Sequence, residues 1–456
     1  MADDIETRPW QDLGEMAERG DARRLEEYLT ELSTGESARA MARLSAEERG
    51  KVLTTLAPSD AAELVEAMPD PQAADLLGQL PAERAAEILH EMPSNEQADL
   101  IGEFGREQAE MILAAMDPAE AGEARHLAGF APDVAGGLMI TEYLAYHQTA
   151  SIEEVVDDLR RGAERYSDYD VQYVYATSRA GVLTGVLPLR DLLLARPGRL
   201  VADIMISQPR AVHEEATLEA LGEFFDRHHF IGVPVTDAAG RLVGIVRRHD
   251  VNEARAGRAG SDYLKALGIV GGEELRSMPL LRRCRRRLSW LSINIVLNII
   301  AASVIAAYQD TLTAVIALAV FLPIISDMSG CSGNQAVAVS MRELTLGLIR
   351  PTEVVRTWLK EVGVGLLNGL ALGVLLGLAA WLWKGEIYLA LVVGAAMALN
   401  TIVAVSIGGM VPLVLKRLRF DPALASGPIL TTVTDMCGFF LVLSLATLVL
   451  ARITGG

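Results

Sequence analysis

The sequence predicts a multidomain membrane protein in which an all-α superhelical region and an α/β region precede a five-helix transmembrane domain. Three observations support this prediction. Prolines recur every 11–12 residues in an acidic N-terminal region, a β-α-β-β-α pattern then occurs twice, and the chain from Leu288 onward is mostly apolar. We expect four segments: the acidic helical domain, the duplicated α/β region, a connecting helix with a basic anchor, and the transmembrane domain, at residues 1–130, 131–253, 254–287 and 288–456.

The charge of the chain is concentrated in its N-terminal region. Residues 1–120 contain 28 Asp and Glu against 10 Lys and Arg, a surplus equal to the net charge of −18 of the whole chain. Phosphates are repelled by such a surface, so nucleic acid is not expected as a partner, whereas metal cations fit. The acidic N-terminus has no apolar segment and predicts no signal peptide. Cys284, Cys331 and Cys437 are too scattered for a disulfide framework or a zinc site, so we expect soluble domains in a reducing cytoplasm.

The acidic region is predicted to form short stacked helices. Pro58, Pro69, Pro81 and Pro93 punctuate segments that mix alanine, leucine and acidic residues. Proline favours the first turn of a helix and ends the preceding one, so each segment forms a helix of two to three turns. Stacking of such units builds a small superhelical domain. Its charged face is either solvated or metal-responsive.

The next region is an internal duplication. Gly185 followed by Arg190-Asp191 recurs as Gly244 followed by His249-Asp250, and a Met-containing turn precedes each copy at Met139 and Met205. Helices are predicted at residues 151–161 and 217–227, and strands at 171–176, 185–188, 232–235 and 242–246.

This duplication resembles a tandem pair of cystathionine-β-synthase-type (CBS) domains. The resemblance implies ATP or another adenine nucleotide as a ligand between the two copies, with Tyr173, Arg190 and Asp191 as candidates. The sequence departs from the family at Pro188 and Arg247, which stand where a ribose-binding Ser or Thr is common.

The C-terminal region is predicted to cross the bilayer five times. The basic run 282–287 directly precedes the first span and is typical of a cytoplasmic anchor on anionic lipid. The basic segments 282–287, 342–360 and 416–419 fall on one side of the membrane, as the positive-inside rule requires. Five spans place the soluble domains inside and the C-terminus outside.

A carboxylate interrupts the last apolar stretch. Asp435 lies near the start of the final span, which begins near Pro428, and costs about 2.5–3.5 kcal/mol in a membrane helix, so it should face protein or water. The alternative is a protonated Asp bonded to a threonine. The other polar candidates for a cation path narrowed by Asp435 are Asp327, Gly330, Gly333, Asn334, Gln335, Asn400, Thr431 and Thr432. For the glycines, tight helix packing is an equal alternative.

These spans closely resemble the MgtE family of magnesium channels and transporters, through Gly-x-x-Gly-Asn-Gln at 330–335 and the stretch from Pro428 to Asp435. The order of the soluble domains agrees. The resemblance implies a bacterial inner-membrane homodimer whose pore lies on the two-fold axis, with Asp435 of each subunit binding hydrated Mg²⁺. No further obligate protein partner is expected. Departures from the family pattern are Met328, Ser329, Cys331 and Ser332.

The resemblance also implies a gate, since the family binds Mg²⁺ between its helical domain, CBS pair and connecting helix. Arg247, Arg248 and Arg258 are basic residues that reduce the number of ion sites in this region. The expected function is Mg²⁺ uptake driven by the membrane potential and gated by intracellular Mg²⁺. The gating candidates, chosen by position, are Glu91, Asp99, Glu219, Asp250, Glu253, Asp262 and Asp421.

Two other functions are consistent with parts of the sequence. A secondary transporter of another divalent cation or solute would use Asp435 as a proton or ion relay, but five spans do not divide into the inverted halves common in such proteins. A membrane-bound nucleotide sensor would bind nucleotide tightly at the CBS pair and would transport no ion. Enzymatic activity is not expected, because the sequence contains no recognisable nucleophile–base pair or phosphate-binding glycine loop.

Overall fold

The computed structural model describes residues 9–453 except for 164, 167, 168, 170, 171, 197, 273, 275, 277 and 279. The chain divides into two compact units, the first ending at Ala256 and the second beginning at Gly257. Residues 1–8 of the predicted helical domain and residue 171 of a predicted strand lie outside the described residues.

The acidic region is helical throughout its described part. The helices are α1 (Pro9–Arg19), α2 (Ala22–Glu31), α3 (Thr34–Arg43), α4 (Ala46–Thr55), α5 (Pro58–Glu66), α6 (Asp70–Leu77), α7 (Ala82–His90), α8 (Ser94–Glu103), α9 (Arg106–Ala115) and α10 (Pro118–Leu127).

The predicted helix starts are confirmed. Pro58 begins α5, and Pro69, Pro81 and Pro93 each cap the helix that follows. Serine caps do the same for α3 and α4, where a glutamate three residues on completes a capping box. From α5 onward each helix packs against the next but one, which builds the predicted superhelical stack around one continuous aliphatic core.

The duplicated region contains both predicted copies. Its elements are α11 (Ala135–Leu138), β1 (Leu144–His147), α12 (Ile152–Arg161), β2 (Tyr173–Thr177), β3 (Leu183–Pro188), α13 (Leu189–Leu194), α14 (Val201–Ile204), β4 (Ile206–Ser207), β5 (Val212–His213), α15 (Leu218–Arg227), β6 (Gly232–Thr236) and β7 (Leu242–Arg247). The sheets have the orders β1-β2-β3-β4 and β5-β6-β7, each with one parallel and otherwise antiparallel pairings.

The two copies exchange their opening segments. Strand β4, which precedes the second copy in sequence, pairs with β3 of the first, and Ile140 pairs with Ile245 of the second. Met139 packs on Gly244, where a Cβ would approach the Met139 sulfur to 2.7 Å, and Met205 packs in the same way on Gly185. The glycines recognised in the repeat therefore make room for methionines of the other copy.

A single helix, α16 (Arg248–Ala266), leads out of this region. It ends before the predicted break at Gly271-Gly272, and Gly268, Gly271 and Gly272 all have positive φ. Because an L side chain is strained in that conformation, these glycines stop the helix from continuing.

The second unit consists mainly of long helices. They are α17 (Leu280–Ala307), α18 (Gln309–Ala314), α19 (Leu318–Thr345), α20 (Val354–Lys384), α21 (Ile387–Arg417), α22 (Pro422–Leu448) and α23 (Leu450–Ile453). Among the described residues, α17, α20, α21 and residues Ser426–Leu448 of α22 are long and apolar enough to cross a membrane. Helix α19 is equally long but more polar, so the count of five spans stays a prediction.

Glycines bring α20 and α21 into close contact. Gly365, Gly369, Gly373 and Gly377 recur every fourth residue of α20 and face α21. A Cβ on Gly373 would come within 2.6 Å of the Gly394 carbonyl oxygen. Small residues at this spacing let helix backbones approach in a membrane, so this pair is fixed by backbone packing.

Candidate functional site

Asp435 lies in the middle of α22. Because the helix begins at Pro422, six residues before the predicted start, Asp435 is its fourteenth residue. The carboxylate is half-buried and accepts a hydrogen bond from the hydroxyl of Ser326 on α19. The structure thus gives it a serine partner on another helix rather than the threonine considered from sequence.

The threonines beside Asp435 bond to their own helix. The Thr431 hydroxyl donates to the Gly427 carbonyl at 3.0 Å, and the Thr432 hydroxyl to the Pro428 carbonyl at 2.7 Å. Thr431 is exposed and Thr432 half-buried. Their hydroxyl oxygens keep lone pairs that could accept from the water shell of an ion.

Polar residues of α19 lie on the surface of the single chain. Asp327, Cys331 and Asn334 are exposed and recur at i, i+4 and i+7, which places them on one helical face. Gln335 is also exposed. The polarity of these exposed residues distinguishes this face of α19 from α17 and α20, whose exposed side chains are largely apolar.

The two glycines of the motif differ in their surroundings. Gly330 is half-buried beside Thr434, whose hydroxyl oxygen lies 3.9 Å from an ideal Cβ position. Gly333 is buried, and a Cβ there would lie 2.9 Å from Leu430 and 3.0 Å from the Ala404 carbonyl oxygen. Close packing of α19 against α21 and α22 therefore explains why position 333 is a glycine.

Asn400 is fully buried in α21. Its amide nitrogen donates to the Ser329 hydroxyl oxygen at 2.5 Å and to the Thr434 carbonyl oxygen at 3.1 Å. Its own Oδ1 is buried, and no described residue donates a hydrogen bond to it. The structure places this predicted path residue between three helices, away from the chain surface.

A cluster of acidic residues forms in the first unit. Glu96, Asp99 and Glu103 follow one another at i, i+3 and i+7 on α8, and they lie within electrostatic range of Glu66, Asp70 or Glu253. We call the six residues Glu66, Asp70, Glu96, Asp99, Glu103 and Glu253 the acidic cluster.

Burial and mutual repulsion perturb this cluster. Burial, with the neighbouring Glu66, raises the pKa of Glu96 to about 8. Burial also raises the pKa of Asp99 to about 7, and Asp70 and Glu103 add to the effect. Both side chains are half-buried, so the carboxylates are held close together at a cost in free energy that a cation would offset.

The position-based gating candidates fall into different surroundings within the first unit. Asp99 and Glu253 belong to the acidic cluster. Asp250 is buried and paired with Arg247 at 2.8 Å, whereas Glu91, directly after α7, and Glu219, on α15, are exposed. The sequence prediction missed Glu66, Asp70, Glu96 and Glu103, although the three- and four-residue spacing on α8 was a usable signal.

Two gating candidates lie in the second unit. Asp421 caps the first turn of α22 and forms an ion pair with Lys265 of α16 at 3.0 Å. Burial raises the pKa of Asp262, while the neighbouring Lys265 opposes the shift. A lysine ammonium thus already faces the carboxylate that the prediction assigned to a metal.

A shallow cleft lies between the two copies of the α/β unit. Tyr173, Tyr143 and Tyr175 line it together with Arg247. Of the predicted nucleotide residues, Tyr173 is in the cleft. Arg190 and Asp191 form an exposed ion pair with each other at 3.2 Å and are not among the lining residues.

Within the part of the chain that the structure describes, no three His, Cys, Asp or Glu side chains come together as a metal site. An ion that keeps most of its water shell, as Mg²⁺ usually does, needs few carboxylates as direct ligands.

Comparison with family models matches three parts of the chain. Residues 322–445 match a divalent cation transporter family (MgtE), residues 12–133 match the MgtE intracellular N domain, and residues 201–257 match the CBS domain. These regions contain Asp435, most of the acidic cluster, and the second copy of the α/β unit.

Curated relatives cover most of the chain. A magnesium transporter MgtE of Thermus thermophilus is 36% identical over 341 residues, which are 74% of this chain and 75% of the relative. Magnesium transporter MgtE of Bacillus subtilis is 29% identical over 335 residues, 74% of each chain.

Two solved structures match about half of this chain. One, a cytosolic domain of the Mg²⁺ channel MgtE in complex with ATP, is 34% identical and covers 54% of this chain and 99% of its own, with a TM-score of 0.49. The other, the soluble part of a magnesium transporter, is 25% identical and covers 55% and 98%, with a TM-score of 0.49.

Proposed function

This chain belongs to the MgtE family of magnesium transporters, and on that premise we propose that Asp435 forms the ion-binding point of a Mg²⁺-selective path driven by the membrane potential. The observation that carries the proposal is the half-buried carboxylate in the middle of a membrane helix, bonded to a serine of a neighbouring helix. Intramembrane carboxylates mark ion pathways because insertion of a charge without function is costly.

A second copy of the chain would complete the path. The exposed polar face of α19, with Asp327 and Asn334, would be unfavourable against lipid tails. Pairing of two such faces across a two-fold axis would enclose them and bring two Asp435 carboxylates towards one ion. The homodimer is therefore part of the proposal.

The chemistry of Mg²⁺ fits a site with few carboxylates. Mg²⁺ loses its water shell reluctantly and is usually held through one or two carboxylates and several waters. Two aspartates would balance the charge of one ion while binding weakly enough for release. An interior-negative potential of 100 mV contributes about 4.6 kcal/mol to the entry of two charges, so uptake needs no ATP.

The test is Mg²⁺ influx into proteoliposomes under an imposed potential. Asp435→Ala should abolish influx while the protein stays folded and dimeric by size-exclusion chromatography. Ser444→Ala is the matched control, because Ser444 lies on the same helix and bonds to its own backbone at 3.2 Å. Undiminished influx in Asp435→Ala would refute the site. Influx that follows a pH gradient instead of the potential would favour the proton-relay transporter.

The acidic cluster would serve as the gate on the cytoplasmic side. Its carboxylates repel one another, so bound Mg²⁺ would favour the compact arrangement of the helical domain and the CBS pair. An affinity near 1 mM corresponds to only about −4 kcal/mol per ion, so several ions would act together. In the second unit, Asp262 and Asp421 would take part through the end of α16.

Limited proteolysis with and without millimolar Mg²⁺ tests the gate. We expect slower cleavage of the first unit when Mg²⁺ is present. An identical cleavage pattern in both conditions would argue against gating while leaving the path through Asp435 untouched.

The cleft between the CBS copies supports a second, regulatory ligand. Aromatic side chains and an arginine at its wall suit the base and phosphates of an adenine nucleotide. ATP titration of Tyr173→Ala against the unmodified protein tests this. Equal affinity in the two proteins would exclude the cleft as the nucleotide site.

A further inference from the structure

Asn400 connects the three helices that meet at Asp435. It lies on α21, its amide reaches Ser329 on α19 and Thr434 on α22, and its side chain is fully buried. The Thr434 carbonyl can only accept a hydrogen bond, so the amide nitrogen and not the oxygen must face it. The orientation of the amide is thereby fixed by its partner.

The bonds made by Asn400 belong to a closed ring. Asp435 accepts from the Ser326 hydroxyl. The Ser329 oxygen accepts from Asn400 at 2.5 Å, and the Ser329 hydroxyl donates to the Ile325 carbonyl at 2.6 Å, with the Ser326 carbonyl also within reach at 3.1 Å. Asn400 then donates its second amide hydrogen to the carbonyl of Thr434, the residue before Asp435. Asp435 is therefore held at its carboxylate by one end of the ring and at its backbone by the other.

The packing around Asn400 leaves room for this arrangement. Gly438 lies one turn after Thr434, and a Cβ there would come within 2.7 Å of the Asn400 amide nitrogen. A larger residue at 438 would push the amide away from the Thr434 carbonyl. The glycine and the asparagine thus form a matched pair between α21 and α22.

We propose that Asn400 is a positioning residue that fixes Asp435 for Mg²⁺, and does not itself line the ion path; this inference rests on the proposed role of Asp435. Mg²⁺ requires near-ideal octahedral geometry of its waters, whereas Ca²⁺ accepts flexible coordination. A carboxylate held on both sides discriminates between the two ions, because small displacements change the fit to the rigid Mg²⁺ shell. Loss of the amide donors should therefore weaken both affinity and selectivity.

The experiment compares Mg²⁺ and Ca²⁺ influx in proteoliposomes. Asn400→Leu keeps the volume and removes both donors. We expect the Mg²⁺ concentration for half-maximal influx to rise about tenfold, equivalent to about 1.4 kcal/mol, and the preference for Mg²⁺ over Ca²⁺ to fall. Thr401→Val is the control, since Thr401 is also fully buried but bonds to the Met397 carbonyl of its own helix at 2.8 Å.

A smaller substitution, Ser329→Ala, keeps the test decisive if Asn400→Leu does not fold. Ser329→Ala removes the link between Asn400 and the backbone carbonyls of Ile325 and Ser326, and it should shift the half-maximal concentration and the ion preference in the same direction. The inference is overturned if Ser329→Ala and any folded Asn400→Leu protein keep the half-maximal Mg²⁺ concentration and the preference for Mg²⁺ over Ca²⁺ of the unmodified protein. It is also overturned if these variants lose maximal influx and neither of those two quantities changes. Asp435→Ala in the same vesicles separates the two proposals. If Asp435→Ala retains influx, the proposed function is wrong. If Asp435→Ala abolishes influx but Asn400→Leu and Ser329→Ala change neither the half-maximal concentration nor the ion preference, only this inference is wrong.

Discussion

Negative charge is arranged in opposite ways in the two units. In the first unit, six carboxylates of the acidic cluster lie near one another and are partly open to water. In the second, Asp435 stands in an apolar helix with one serine hydroxyl as its hydrogen-bond donor. The side-chain chemistry is the same, and the surroundings differ.

This difference indicates two kinds of response. Several half-exposed carboxylates at short range share protons and cations, so their repulsion changes gradually with pH and ion concentration. Asp435 is the one acidic residue of α22, so removal of its charge removes the attraction that this helix provides for a cation. The first arrangement suits a graded sensor, and the second suits an ion-binding point.

The largest expected contrast is between two isosteric amide substitutions. Asp435→Asn should abolish influx at every Mg²⁺ concentration, because the ion loses its counter-charge. Glu96→Gln should retain influx and lower the Mg²⁺ concentration that protects the first unit from protease, because one repelling charge is gone. Vesicle influx and proteolysis of both variants test the contrast. Abolished influx in Glu96→Gln would contradict the expected contrast between Asp435 and Glu96.

The next effect is a loss of protease resistance with rising pH. The raised pKa values of Glu96 and Asp99 mean that the compact state binds more protons than the separated one between about pH 4 and pH 8. Stability of the compact state is therefore highest at the acidic end and decreases as the pH rises through this window. Without Mg²⁺, cleavage should be severalfold faster at about pH 8.5 than at about pH 6.

Two comparisons control the pH experiment. Millimolar Mg²⁺ should restore most of the resistance at the alkaline end, because the ion replaces the lost protons. The double substitution Glu96→Gln with Asp99→Asn should flatten the profile. A profile that keeps its slope in the double variant would show that other groups are responsible.

A smaller effect is expected from substitution of Arg247, a positively charged side chain beside the acidic cluster. Arg247 is near Glu66 and Glu96 and pairs with the buried Asp250 at 2.8 Å. Arg247→Ala should raise severalfold the Mg²⁺ concentration needed for protease protection, because the ions must then compensate for the missing charge. Arg241→Ala is the control, since its pair with Asp237 at 2.7 Å leaves the arginine largely exposed. Equal behaviour of the two variants would contradict the assignment.

The smallest effect concerns the end of α16. Lys265→Gln removes the ion pair with Asp421 at the start of α22. Influx at millimolar Mg²⁺ should rise by at most about fivefold, because a partly exposed pair contributes about 0–1 kcal/mol. Arg227→Gln, which removes an exposed pair within α15, should leave influx unchanged. A fall in influx for Lys265→Gln would mean that the pair supports the open path.

Local features of the chain were readable in the sequence. The proline-started helices and the predicted helix at residues 151–161, which begins with a capping box of Ser151 and Glu154, follow from rules that act over three to twelve residues. Both copies of the duplicated unit follow from the repeated pattern of glycine, methionine and aspartate. The membrane helices follow from apolar length. Asp435 is recognisable from the sequence as a candidate ion-path residue, because it is a single charged residue in an apolar stretch.

The partners of these residues were decided by tertiary structure alone. Ser326 and Asp435 are 109 residues apart, and Ser329 and Asn400 are 71 apart, so no local pattern connects them. Helix packing likewise brings Glu66 and Asp70 to α8 and lays Met139 on Gly244. Periodicity and capping report the conformation of a segment, whereas contacts between segments depend on how whole helices fit together. The sequence thus determined which groups carry the charge, and packing determined which groups hold them.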